Sequence, residues 1–219
     1  MHADTLARRR FFRLAATGLF ATALPAAAFP TLGHAQAAAA PTDPIRALDA
    51  ALLQAMKTGR SASFAERYEM LSGPVDQAFD LDAVLQTSVG PRWATLSATE
   101  RDELRSAFRR YTIANYVANF DSYEGQQFQL DPAPRSLPGG QQVVTTRLVA
   151  PGGSTTVLGY VMRQTPSGWK AVDVLADGAI SRVAVQRSDF RGLLSQGGSR
   201  ALASSLQRKT ADLSGGALA

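Results

Sequence analysis

Residues 142–176 read QVVTTRLVAPGGSTTVLGYVMRQTPSGWKAVDVLA, and through most of that stretch apolar and polar side chains alternate. Val144, Thr146 and Leu148 share one side against Thr145 and Arg147. Thr156, Leu158, Tyr160 and Met162 share one side against Val157, Gly159, Val161 and Arg163. A period of two is that of a strand, whose successive side chains point to opposite faces. Pro151-Gly152-Gly153 and Pro166-Ser167-Gly168 interrupt the alternation with turn-forming residues. Links this short join antiparallel neighbours. Strands are therefore predicted over Gln142–Val149, Thr155–Arg163 and Trp169–Ala176, and a further one over Gly125–Leu130, ahead of a loop at Pro132–Gly140.

Upstream the period is 3.6. Ile45, Leu48, Leu52, Leu53 and Met56 recur at three- and four-residue intervals, so a helix is predicted over Pro44–Lys57, capped by Asp43 and ended by Gly59. A second helix over Ser63–Leu71 buries Phe64, Tyr68 and Leu71, and Gly73-Pro74 is expected to break it. After Val75–Phe79 a third runs over Leu81–Val89, capped by Asp80 and stopped by Gly90-Pro91. Ser97 and Glu100 form a capping box that opens the longest helix, with Leu104, Phe108, Tyr111, Ile113, Val117 and Phe120 as its buried stripe. Downstream, helices are predicted from about Ile180 to Leu194 and from Ser199 to Leu206, parted by Gly197-Gly198, and residues 209–219 form a disordered tail. Helices succeeded by a meander make a layered α+β domain. N-terminal helices pack on a curved, mostly antiparallel sheet of about four strands, and C-terminal helices close it.

The first 35 residues stand apart. Arg8, Arg9, Arg10 and Arg13 lead into an apolar stretch from Leu14 to Phe29, the pattern of a secretory signal peptide. The arginine run with Phe11-Phe12 after it matches the twin-arginine type, and the small residues Gly33 and Ala35 place cleavage after Ala35, with Ala37 as the other candidate. The apolar run is about 16 residues and contains Pro25, short of the roughly 20 that a membrane-spanning helix requires. Residues 36–42 are an alanine-rich lead-in, and a single domain occupies 43–208. A periplasmic location is expected.

This division changes the charge. The leader holds four of the 23 basic residues and one of the 18 acidic ones, which leaves 19 against 17. No basic stripe interleaved with aromatics remains, so nucleic acid is not an expected partner. The chain has no cysteine, and its two histidines, His2 and His34, both lie in the leader. Thiolate nucleophiles, serine–histidine triads and histidine-ligated metals all lack a required residue. Gly139-Gly140 and Gly152-Gly153 fall between strands, which is not the context of a phosphate-cradling loop. The acidic pairs Asp80 with Asp82 and Asp102 with Glu103 suit a helix start and a helix surface. Asp173, between Val172 and Val174, is the carboxylate left to explain. It sits outward or at an edge, or it accepts hydrogen bonds from backbone amides or an arginine, or it moves a proton.

The run FAERYEMLSGPVDQAFDLDAVLQTSVGPRW, residues 64–93, resembles the MlaC family of periplasmic phospholipid-binding proteins, also called toluene-tolerance auxiliary proteins. The Phe79-Asp80 pair opening a helix, and Gly90 shortly before Trp93, are features of that family. The resemblance continues through Phe108 and Tyr116, the Tyr123–Gly125 region, VVTTRLVAPGG at 143–153, Tyr160, Gly168-Trp169-Lys170 leading to Asp173, and SDFRGLLSQGG at 188–198. Gly178-Ala179-Ile180-Ser181 departs from the glycine–valine–serine of many members and is more similar to the hopanoid-associated HpnM branch.

The resemblance implies a nuclear-transport-factor-like fold with an apolar cavity for the chains of a phospholipid or hopanoid. It implies carriage of that lipid between the inner and outer membranes. The implied partners are an inner-membrane lipid ABC transporter or RND-type substrate-binding component and an outer-membrane donor or acceptor; no cofactor is implied and no enzymatic activity. On that reading the cavity is lined by Phe128, Leu130, Val144, Leu148, Leu158, Tyr160, Met162, Val172 and Val174 from the strands and by Tyr111 and Tyr116 from the long helix. Each of these is equally an ordinary core position, and Ala171, Asp173 and Leu175 are the alternatives for the inner face of the last strand. An enzyme using a cavity carboxylate and a structural envelope adaptor are the competing readings.

Overall fold

The computed structural model describes residues 40–218, so the leader, its cleavage point and residues 36–39 lie outside the described residues. Residues 40–42, expected as the end of the lead-in, already belong to the domain. The Asp43 carboxylate accepts from the Ala40 amide at 2.8 Å, and Thr42 is buried.

Among the described residues four α-helices come first: α1 (Asp43–Thr58), α2 (Phe64–Ala78), α3 (Leu81–Val89) and α4 (Ala98–Asn119). Gly59 ends α1 as the sequence predicts, and capping boxes open α2 at Ser63 and Glu66 and α4 at Ser97 and Glu100. Pro74 does not break α2, which continues to Ala78. A proline inside a helix costs roughly 3 kcal/mol. Here Leu71, Val75 and Ala78 keep one buried stripe through it, and Lys170 Nζ donates to the Asp76 and Gln77 carbonyls left open at the helix end.

The sheet comes next, as β1 (Gln127–Leu130), β2 (Arg135–Ser136), β3 (Gln142–Val149), β4 (Thr155–Thr165), β5 (Gly168–Ala176) and β6 (Ile180–Ser181). Its order is β1-β3-β4-β5-β6, antiparallel throughout, with β2 paired to β3 beside β1. That is six strands rather than about four. The two additional ones are two residues each, too short for alternation to reveal.

The chain closes with α5 (Arg182–Ser214), in which Gly197 and Gly198 leave the helical conformation and part residues 182–196 from 199–214. Gly198 has φ +65°, and a Cβ on Gly197 would lie 2.7 Å from that of Ala201, so both positions favour glycine. The break was legible; the end was not. Residues 209–214, expected as tail, are helical, with Thr210 and Ser214 buried, and the stop is the left-handed cap at Gly215. Arg110 on α4 donates to the Leu218 carbonyl at 2.7 Å and so ties the last turn, residues 215–218, to the helical layer.

Two hydrophobic cores result. One joins α1, α2 and the second half of α4 to the sheet through Ile45, Leu52, Leu71, Ile113, Tyr160 and Met162. The other joins α3, the first half of α4 and α5 through Leu85, Leu104, Phe108, Phe190, Leu202 and Leu206.

The helical layer is stitched to β5 at the Phe79-Asp80 pair. Phe79 forms a parallel bridge with Ala171, and the Asp80 amide donates to the Ala171 carbonyl at 3.0 Å. The Asp80 carboxylate accepts from the Ala83 amide, capping α3, and from Arg163 on β4.

Candidate functional site

Between the two cores lies a cavity of about 500 Å³ that neither fills, within the roughly 300–1,000 Å³ usual for small-molecule sites. The sheet supplies its floor with Leu148, Thr156, Leu158, Val174 and Ala176; Phe79, Leu81 and Val84 form a second wall. From α4 come Phe108, Tyr111, Thr112, Asn115, Tyr116, Asn119 and Phe120, and from the start of α5 come Arg182, Val183 and Gln186. The wall is mostly apolar. Its polar groups are Thr112, Asn115 and Asn119 on α4, Arg182 and Gln186 on α5, and Thr156 and Asp173 on the sheet.

Aromatic rings set the shape. Tyr116 lies 5.8 Å from Phe79 and stacks on Phe120 at 5.9 Å, while Phe79 meets Tyr160 edge-on at 6.0 Å. Phe108 stands at 90° to Phe190 at 6.3 Å, tying the cavity wall to the second core. Burial holds the Tyr116 and Tyr160 phenols above their ordinary range, so both stay protonated. The buried Thr112 hydroxyl has no hydrogen-bond partner among the described residues.

Asp173 also borders the cavity, and its hydrogen bonds fit the second of the three readings open for it, acceptance from backbone amides. Its Oδ1 accepts from the Val174 amide at 2.7 Å and the Val183 amide at 3.0 Å, and its Oδ2 accepts from Ser181 Oγ. Ser181 Oγ in turn accepts from the Ala184 amide, so the pair fastens the first turn of α5 to β5. Among the described residues no group of His, Cys, Asp and Glu is arranged to hold a metal.

A family model described as MlaC protein matches residues 46–208, which take in the whole cavity wall and nearly all of both cores. The chain belongs to the MlaC family. The structural comparison finds the same fold in a solved protein. The phospholipid-binding protein of Ralstonia solanacearum, solved in complex with a phospholipid, superposes with a TM-score of 0.70 at 18% identity, over 80% of this chain and 99% of that one. No curated protein matches the sequence.

In this MlaC-family chain, Tyr111, Tyr116, Leu148, Leu158 and Val174 stand on the cavity wall. Val144, Tyr160 and Met162 do not. They are fully buried in the first core, behind Phe79 and Tyr116. Val172 misses the cavity because Asp173 pairs with Val161 and Ala171 with Met162, which leaves Val172 as the extra residue of a bulge. The bulge shifts the alternation by one, so Ala171 joins the core, one of the alternatives weighed for that strand. The wall residues that periodicity missed include the polar stripe Thr112, Asn115 and Asn119, which continues the apolar face of α4, and Arg182 and Gln186 one turn apart on α5.

Phe128 and Leu130 face a different place, a more open recess of about 490 Å³ shared with Arg46, Asp49, Leu53, Lys57 and Tyr123. Phe128 meets Phe120 at 6.1 Å, so this aromatic pair stands between recess and cavity. At the back of the recess Asp49 is only 5% exposed; Thr146 Oγ1 donates to its Oδ2 at 2.8 Å, and its Oδ1 has no partner among the described residues. Burial, opposed by the Thr146 bond, pushes its carboxyl up to about 6. The folded protein therefore binds this proton more tightly than the unfolded chain. Stability on this account is full below the ordinary carboxylate value, falls as pH rises towards 6, and loses about 3 kcal/mol in all. Asp49→Asn is expected to abolish that fall in urea titrations between pH 4 and 7. Equal slopes for both proteins would place the pH dependence elsewhere.

Proposed function

We propose that this protein is a periplasmic lipid carrier that holds the acyl chains of a phospholipid in the cavity between its two cores. The observation that carries the reading is the unfilled, mostly apolar space walled by Phe79, Leu148, Leu158 and Val174 in a chain of the MlaC family. Packed interiors leave few such voids. The Ralstonia protein of the same fold was solved with a phospholipid bound, which supports the same class of ligand here.

Each methylene moved from water into the cavity contributes about 0.8 kcal/mol. A chain of some sixteen corresponds to roughly 13 kcal/mol before ordering costs are set against it. Binding of that kind needs no catalytic group, and the hydrogen bonds of Asp173 give its carboxylate a structural role.

A carrier of this kind passes lipid between the inner and outer membranes, receiving it from or giving it to an inner-membrane transporter component and an outer-membrane partner. A hopanoid is the alternative cargo, favoured by the Gly178–Ser181 sequence. The test is mass spectrometry of solvent extracts from protein purified out of its native envelope. One phospholipid or hopanoid per chain is expected. Protein that is empty, and that takes up no acyl lipid from vesicles, would refute the reading and leave the adaptor.

A further inference from the structure

Among the described residues Arg182 is the one basic side chain on the cavity wall. It is exposed, and among the described residues it has neither an ion-pair nor a hydrogen-bond partner. The other charged group on the wall, Asp173, already accepts from two amides and from Ser181. The Val183 and Ala184 amides of the first turn of α5 are taken by Asp173 and Ser181. At this end of the helix the Arg182 guanidinium is therefore the group left for an outside anion.

Its position along the cavity is as telling as its charge. Leu148, Leu158, Val174 and Ala176 make a floor that is apolar apart from Thr156, whereas Asn115 and Asn119 on α4 and Gln186 on α5 join Arg182 on the helical side. An amphipathic ligand buries its chains against the floor and leaves its polar group on that side, because burying an unpaired charge is costly. Arg182 is near enough to Tyr116 on the same wall for its positive charge to oppose the rise in that phenol.

We propose that Arg182 is a headgroup site of this cavity, donating hydrogen bonds to the phosphate of the lipid whose chains lie on the apolar floor. The assignment rests on the carrier reading and adds to it a selectivity: phosphate-bearing lipids are preferred over neutral lipids with the same chains. A guanidinium donates two parallel bonds to phosphate oxygens, and a lysine ammonium meets them as a point charge.

The test uses vesicles containing equal amounts of dioleoyl-phosphatidylglycerol and dioleoylglycerol, which differ in the phosphate headgroup and share their chains. The full mature chain is incubated with them, and the bound lipids are counted by native mass spectrometry. The wild type is expected to favour the phosphate-bearing lipid, Arg182→Gln to lower that preference about tenfold, and Arg182→Lys to keep part of it. Raised salt should narrow the gap between wild type and Arg182→Gln. Inorganic phosphate at millimolar concentration should not displace bound lipid; displacement would mean a bare anion site instead. An unchanged preference in Arg182→Gln, with lipid still loading, overturns the headgroup site alone. Failure of both lipids to load in every variant overturns the carrier reading and the headgroup site with it. Arg182 is exposed at the first position of α5, and a matching thermal midpoint for each variant shows that a lost preference is not lost folding.

Discussion

Ala176→Trp is expected to leave the protein folded and to lower its content of bound acyl lipid at least about tenfold. Ala176 pairs with Leu158 across β4 and β5, and both face the cavity, so an indole at 176 grows into existing space. Overpacking a filled core costs roughly 1–3 kcal/mol; a void of about 500 Å³ relieves most of that cost. The ligand bears the effect. Displacing as few as two methylenes removes about 1.6 kcal/mol, already more than tenfold in affinity, and an indole displaces more than two. Lipid extraction and a thermal melt on the same preparation check both halves. Full lipid content in a folded variant would show that the chains lie somewhere other than this cavity.

Phe108→Ala is expected to cost about 3–5 kcal/mol of stability, as large-to-small changes of buried phenylalanines do. Phe108 is 1% exposed and is packed with Leu104, Leu202 and Leu206, with its edge against Phe190. It is also a wall of the cavity, so the space left behind joins a void instead of collapsing. Urea titration would measure the loss. A cost under about 1 kcal/mol would mean that the second core repacks around the site, contrary to the tight aromatic contact seen there.

The elements legible in the sequence were those governed by local rules. The alternation in 142–176 and the turns that divide it appear in the structure as β3, β4 and β5, with the first of these matching residue for residue. The capping box at Ser97 and Glu100, the Asp80 cap and the Gly197-Gly198 break were likewise legible. Elements decided by tertiary contact were not. Pro74 stays helical because Val75 and Ala78 belong to a buried stripe, and α5 runs past Lys209 because Thr210 and Ser214 find cover.

The cavity obeys the same division. Alternation identified the inner face of β3 and β4, which includes Leu148 and Leu158, but not which part of that face the helices cover. Val144, Tyr160 and Met162 share the strands of the wall residues and are core because the helical layer closes over them. One bulge at Val172 exchanged the faces of β5. Arg182 carries no periodic signal, since it is an exposed residue whose meaning depends on the cavity beside it.

The stitch between Phe79-Asp80 and β5 works like the binding of a book. Along that margin the helical layer and the sheet share a backbone bridge, a backbone hydrogen bond and the Lys170 and Arg163 contacts, none of which can lengthen much without breaking. Along the opposite margin, near β1, the layers meet through the rings of Phe120 and Phe128 and through the buried hydrogen bond from Thr146 on β3 to Asp49 on α1. At that second margin the cavity and the open recess are a single ring-to-ring contact apart, so the side chains of Phe120 and Phe128 are all that separates one space from the other there.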